Sequence, residues 1–247
     1  MPKLFGYLSI YFVISWFCLV LGWSFPAQAA IYPSPQLEQQ ILEVLRKHPE
    51  AIIESVQGYQ QQQQQQVDQS RQVFLQDLKV NPQAIIANSP TTGTTPAKTV
   101  LIEFSDFQCP YCAEAHQKLR DLLSKHQQDV TLVYKHFPLP SHPEAVPAAK
   151  AAWAANQQGK FWQYHDQLFT NQKQLGESLY IDVAKKLNLD MDKFNRDRLV
   201  ADADIKQDIQ LAKTLGIPGT PFFVMNGQNY SGAIQVSEIE SQLATAN

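Results

Sequence analysis

Two cysteines separated by two residues, in Phe107-Gln-Cys-Pro-Tyr-Cys112, are the residues of this 247-residue sequence whose types and spacing could do chemistry. Three positions apart on a helix, their sulfurs lie about one turn from each other, near enough to close a small disulfide ring. An apolar run before them reads as a strand and the segment after them as a helix, so Cys109 falls at a helix N-terminus. There the helix dipole and free N–H groups stabilise a thiolate, lower its pKa and make Cys109 the nucleophile and the better leaving group. Cys112, further in, is then the resolving thiol. Pro110 suits the first helical turn, and Tyr111 is expected to stand exposed beside the sulfur. A bridge closing so short a loop constrains little unfolded-chain entropy, which argues for reversible exchange on a redox-active Cys109–Cys112 pair rather than for an inert staple.

Further candidates surround this pair. Glu103 lies six residues before Cys109 in an otherwise apolar strand. Buried there, its carboxyl would have a raised pKa and could move protons for Cys112; an edge position with the carboxylate in water is the alternative. Lys135, in the adjacent strand, is the candidate proton-transfer partner that would face Glu103, against an ordinary lysine reaching out to solvent. Gly216-Ile-Pro-Gly-Thr-Pro221 precedes the apolar strand Phe222 to Met225, so the chain must turn at Pro221. A cis Thr220–Pro221 bond would explain the turn and leave the Thr220 backbone free to pair with an extended substrate, although a trans loop proline is the commoner case. No two of the six histidines have a spacing that suggests a metal site on one face, and they are read as structural or solvated. No second cysteine pair exists to complete a zinc site, and neither metal nor cofactor is expected. Trp153, Phe161, Trp162, Tyr164 and Phe169 fit the core of a helical segment by their spacing.

The elements that must position these residues follow from periodicity. Thr99 to Phe104 and Val130 to Phe137 read as buried strands with helical Pro110 to Lys125 between them, a βαβ unit with a parallel pair. From Pro143 to Gly216 the pattern is almost wholly helical: Ala145 to Gln158 stopping at Gly159, Phe161 to Phe169, Leu179 to Leu187, and Ile205 to Leu215 with Gly216 as C-cap. Phe222 to Met225, Asn226-Gly227 and Gln228 to Gly232 predict a hairpin with a tight primed turn, and a last helix runs through Val236 to Leu243. Upstream, Leu37, Ile41, Val44 and Leu45, then Ile52, Val56 and Tyr59, and later Phe74 and Leu78, predict helices divided at His48-Pro49-Glu50. Seven glutamines from Gln60 to Gln66 either continue the second helix or form a disordered spacer. This region lacks a core of its own, so pairing with another copy is expected, with packing on the next domain as the alternative. Asn88 to Pro96 is polar and turn-rich, the expected linker.

At the start of the chain, Lys3, the apolar run Leu4 to Trp23 and Pro26-Ala-Gln-Ala-Ala30 read as a signal peptide cut after Ala29. The run is longer than the roughly 7–15 residues of an h-region, so a membrane anchor is the alternative. Either way the remainder lies outside the cytoplasm, periplasmic or membrane-anchored, because Lys3 stays on the cytoplasmic side. Cys18 lies in this leader, which leaves Cys109 and Cys112 as a pair in a disulfide-permissive compartment. The formal charge of −3 gives no sign of a nucleic-acid partner. The domain plan is 1–29 leader, 30–87 helical region, 88–97 linker and 98–247 an α/β catalytic domain with a helical insert over 143–216.

Val100-Leu-Ile-Glu-Phe104 before Cys-Pro-Tyr-Cys, the helical insert, Gly-Thr-Pro before the last hairpin, Tyr134-Lys-His-Phe-Pro-Leu139 and Gln158-Gly-Lys-Phe-Trp-Gln-Tyr-His-Asp-Gln-Leu-Phe169 resemble the DsbA-like thioredoxin family over roughly 98–247. The resemblance implies a thioredoxin-like fold with a helical insertion, Cys109 as the attacking cysteine, Cys112 as its buried partner, Glu103 as the buried acid, Thr220 before cis Pro221, and Lys135 near the acid. Residues 36–85 resemble the N-terminal helices of the suppressor-of-copper-sensitivity C branch, where such helices bring protomers together; the glutamine tract departs from that pattern. The activity implied is a dithiol oxidase that passes disulfides to exported proteins and is reoxidised by a membrane partner. An oligomeric disulfide isomerase or reductase shares the same site, because a few tens of millivolts of redox poise separate them. A chaperone-like protein that captures copper(I) or a client on its thiolates is a third reading.

Overall fold

The computed structural model describes residues 34–94, 99–126, 128–225 and 228–231, with four residues between 238 and 243. The expected leader, Cys18, the Asn226-Gly227 turn and most of the expected last helix lie outside the described residues. The chain divides into two compact units, one up to Tyr59 and one from Gln60 onward.

In the first unit, helix α1 (Pro35–Lys47) is opened by Ser34, whose hydroxyl accepts from the Leu37 N–H at 3.2 Å, and by Pro35 in its first turn. His48 ends it, and Pro49 starts α2 (Pro49–Val80), as the His48-Pro49-Glu50 break predicts. Every described residue from 34 to 59 is exposed, including the apolar series Leu37, Ile41, Val44 and Leu45. The glutamine tract is helical: α2 runs through it, and the Gln64 amide donates to Asp68 Oδ1 at 2.8 Å.

The second unit is built on a five-stranded sheet. Its strands are β1 (Thr91–Gly93), β2 (Thr99–Ser105), β3 (Val130–His136), β4 (Phe222–Met225) and β5 (Gln228–Ser231), in the order β1-β3-β2-β4-β5. Helix α3 (Pro82–Ile86) precedes β1, and α4 (Pro110–His126) joins β2 to β3. The β2–β3 pair is parallel, as the βαβ reading predicts, and the other three pairings are antiparallel. All seven residues of β2 and of β3 are buried, so side-chain alternation sorts them between two covered faces. Leu101, Leu132, Phe223 and Met225 meet Ala115, Leu119 and Leu122 of α4, together with Ile239 and Leu243. On the other face Ile102, Phe104, Val133, Phe222 and Val224 meet Phe74 and Leu78 of α2, Ile86 of α3, and Leu215. The end of α2 is therefore part of this core.

Thr91–Gly93, inside the stretch expected as a linker, forms an edge strand. Trp162 Nε1 donates to Thr91 O at 2.6 Å and the Tyr134 N–H to Pro90 O at 3.0 Å, so the segment's backbone groups find partners in the domain. The insert consists of α5 (Ala145–Asn156), α6 (Phe161–Thr170), a 3-10 turn (Gln172–Gln174), α7 (Glu177–Lys186), α8 (Met191–Val200) and α9 (Asp202–Thr214). Gly216 closes α9 with φ +59°, and a Cβ there would come within 2.7 Å of Val67 Cγ1. Arg71 of α2 donates to the carbonyls of Leu215 and Gly216 at 2.7 and 3.1 Å, satisfying oxygens the helix end leaves free.

Candidate thiol–disulfide site

The loop from β2 to α4 is held from three sides. Asp106, whose side chain is fully buried, accepts from the N–H groups of Gln108 (2.8 Å) and Leu139 (2.9 Å) and pairs with His142 Nδ1 at 2.7 Å. Gln172, in the 3-10 turn of the insert, donates to Phe107 O and Cys109 O at 2.9 and 2.8 Å, and Gln108 Oε1 accepts from the Glu144 N–H at 2.7 Å. Asp106 and Gln172 do not stand out in the sequence. An acid directly before the Cys-containing turn is a signal for the first; the second carries none, because its partners lie more than sixty positions away.

Cys109 opens α4 and Cys112 is fully buried beneath it. The Cys109 thiol falls from the ordinary 9.0 to about 5. A hydrogen bond from the Cys112 thiol is the largest cause, burial opposes it, and the Thr220 hydroxyl and the Cys112 and Tyr111 N–H groups add to the lowering. Burial pushes the Cys112 thiol up, and the neighbouring Cys109 adds to that. The Thr220–Pro221 bond is cis, as the resemblance implies, and Cys109 in its thiol form donates to Thr220 O at 3.4 Å. Tyr111 is exposed beside the sulfur and Pro110 takes the first helical turn.

Glu103 pairs in register with Tyr134 of β3 and Phe223 of β4, on the face toward α4. It is 1% exposed, and burial raises its carboxyl to about 7 although the Ser105 hydroxyl pulls the other way. Lys135 does not face it. Its register partner is Phe104, so alternation turns it to the opposite side of the sheet, where it forms an ion pair with Asp208 of α9 at 3.3 Å. A cavity of about 490 Å3 lies beside that pair rather than at the dithiol.

Three histidines are buried near the site, and Phe107 packs among them, with ring centroids 5.7 Å from His165 and 6.2 Å from His136. His116 on α4 and His165 with Asp166 on α6 bring their donor atoms within 4.8 Å of one another, a grouping that spacing along the sequence does not announce because two helices supply it. Arg120 adds a positive charge close to His116 and Asp166, which weighs against a metal cation in the cluster.

The family model described as Thioredoxin matches residues 86–245, well over half of the chain. A thioredoxin-like oxidoreductase from Silicibacter pomeroyi superposes with a TM-score of 0.61 at 30% identity, covering 68% of this chain and 98% of that one. The chain belongs to the DsbA-like thioredoxin-fold family. This DsbA-like chain also shares its fold with Proteus mirabilis ScsC (TM-score 0.60, 24% identity, 85% of this chain and 95% of that one). A curated relative, the Na(+)/H(+) antiporter NhaA 3 of Salinispora tropica, is 36% identical over 158 residues, 62% of this chain and 24% of the antiporter. The DsbA-like chain thus spans about a quarter of the length of the antiporters it matches.

Proposed function

We propose that this chain is an exported thiol:disulfide oxidoreductase acting as a dithiol oxidase, which passes the Cys109–Cys112 disulfide to exported proteins and regains it from a membrane redox partner. The observation that carries the reading is Cys109 at a helix N-terminus, its sulfur 3.4 Å from Thr220 O, with Cys112 sealed directly beneath. A client thiolate attacks Cys109, Cys112 leaves, and a second client thiol completes the exchange. The donors around Cys109 stabilise its thiolate and with it the reduced form, which makes the disulfide a willing oxidant and favours the oxidase direction. Glu103, buried on the Cys112 side of β2, supplies and removes the proton of the inner thiol. Among the described residues no helix is long and apolar enough to cross a membrane.

An oligomeric isomerase or reductase is the second reading, favoured by the exposed apolar series of residues 34–59, which would gather several sites around one client. Equilibration of the pair with glutathione separates the two: a potential as reducing as about −270 mV sinks the oxidase reading. Cys109→Ser should abolish oxidation of a reduced peptide, and Cys112→Ser should accumulate mixed disulfides; an active Cys109→Ser variant would overturn the nucleophile.

A further inference from the structure

Cys112 is sealed from solvent, yet its proton must leave or arrive each time the pair changes state. The Ser105 hydroxyl is buried beside Glu103 on the same face of β2 and makes no hydrogen bond in the resting site, yet it influences Cys112, Glu103 and Tyr134 alike and so has a proton position free to turn between them. On the far side of Glu103 is a cavity of about 40 Å3 whose walls include Glu103, His116, Arg120, His165 and Asp166. That volume exceeds the roughly 10–15 Å3 one water needs. Two of the lining side chains, Glu103 at Oε1 and His165 at Nε2, have buried polar atoms without a hydrogen bond. His165 Nδ1 lies 3.1 Å from Asp166 Oδ1 and His116 Nε2 lies 3.7 Å from the same oxygen. In the neutral ring Nδ1–H donates to the carboxylate, which leaves the Nε2 lone pair as an acceptor. The Asp166 side chain is 43% exposed and meets water.

We infer that Ser105, Glu103, a water in this cavity and the His165–Asp166 pair form a proton route between Cys112 and solvent; the inference rests on the dithiol reading above. When a mixed disulfide on Cys109 resolves, the Cys112 thiol gives its proton by way of Ser105 to the Glu103 carboxylate. The Cys112 thiolate attacks Cys109 Sγ, the Cys109–Cys112 bond forms, the bond to the client breaks, and the client leaves as a thiolate with the electron pair. The proton then crosses the cavity to His165 Nε2 while His165 Nδ1 releases its own to Asp166 and solvent. In the opposite direction the same atoms deliver a proton to the departing Cys112 thiolate.

The other groups around Glu103 leave the route open. Tyr134 of β3 is held protonated by burial, Phe223 of β4 does not titrate, and burial lowers His116 to about 4 and also lowers His165, so both rings are neutral near pH 7. The positive charge of Arg120 on α4 weighs against a proton resting on His116. Glu103, raised to about 7, exchanges its proton readily at neutral pH.

The test is stopped-flow measurement of mixed-disulfide resolution by the full chain between pH 5 and 8, in H2O and D2O, with the glutathione equilibrium measured beside it. Asp166→Asn should slow resolution on the order of tenfold near pH 7 and enlarge the solvent isotope effect, with the redox equilibrium unchanged. Asp166→Glu should restore the rate. Leu123→Phe, which fills the cavity from its partly exposed side, should act like Asp166→Asn. Unchanged rates in both Asp166→Asn and Leu123→Phe, or a rate that falls only together with a shifted equilibrium, would overturn the route. Glu103→Gln separates the two levels: if it slows resolution while the outer variants do not, the route fails and the role of Glu103 stands. If Glu103→Gln is also silent, that role fails first.

Discussion

Glu103 shows how a single side chain can be read both ways until its register is known. Its place in an apolar strand leaves burial and an edge position open; the pairing with Tyr134 on one side and Phe223 on the other makes β2 a central strand and closes the question. A carboxyl raised from 4.5 to about 7 has a signed effect on stability. Its contribution is fully present below pH 4.5 and is lost as pH rises to about 7, because the native state must then hold a buried charge that the unfolded chain carries in water. Glu103→Gln should therefore gain on the parent by roughly 3 kcal/mol between pH 4 and pH 8. Urea unfolding of the disulfide form, where neither thiol titrates, measures it, and a difference that stays flat with pH would place the carboxyl in water. The cysteine pair was legible because it sits in a local pattern of strand, turn and helix, whereas the cis Thr220–Pro221 bond followed from the family resemblance and the burial of Glu103 only from its register. Lys135 misled because its strand was right but its parity was not: pairing with Phe104 sends it to Asp208. Gln172 and the meeting of His116 with His165 were hidden because the partners come from other elements, and no spacing rule sees across a fold.

The element that changes meaning most is α2. Its glutamines give no apolar face, and the sequence favours pairing of the region with another copy, with packing on the next domain as the alternative. Phe74 and Leu78 nevertheless sit in the core beneath β2 and β4, and Arg71 binds the carbonyls that end α9. The last turns of the helix thus cover one face of the sheet that carries Cys109 at its end. Phe74→Ala should cost about 3–5 kcal/mol of stability, the range for emptying a buried aromatic site, whereas Val56→Ala, at an exposed position, should leave unfolding of the catalytic unit unchanged. Chemical denaturation followed by tryptophan fluorescence compares them; equal midpoints would remove α2 from the core. The edge strand Thr91–Gly93 escaped notice for a related reason, since three small polar residues carry no alternation to read and are recruited by the free side of β3.

At the scale of the whole molecule, the boundary between the two compact units falls after Tyr59, inside a helix that runs on past Gly58 without a break. Composition placed the start of the catalytic domain some forty residues later, at the turn-rich stretch, because turn residues report on backbone conformation and say nothing of which helical face is covered. The difference decides how self-association must be tested. Leu37, Ile41, Val44 and Leu45 of α1 and Ile52, Ile53, Val56 and Tyr59 of α2 are exposed, a patch that soluble chains seldom leave uncovered, and a second copy would bury it. Removing residues 30–59 takes this patch away and leaves Phe74, Leu78, Ile86 and β1 with the sheet. That shortened chain should sediment as a monomer where the longer one is an oligomer, and should oxidise a reduced peptide at an unchanged rate per site, since Cys109, Cys112 and Thr220 all belong to the unit that begins at Gln60. A cut at residue 90 should instead give a destabilised protein, having removed Phe74, Leu78 and Ile86 from one face of the sheet. An unchanged mass after the first cut would discard association through these helices and, with it, the main support for an isomerase that surrounds its client.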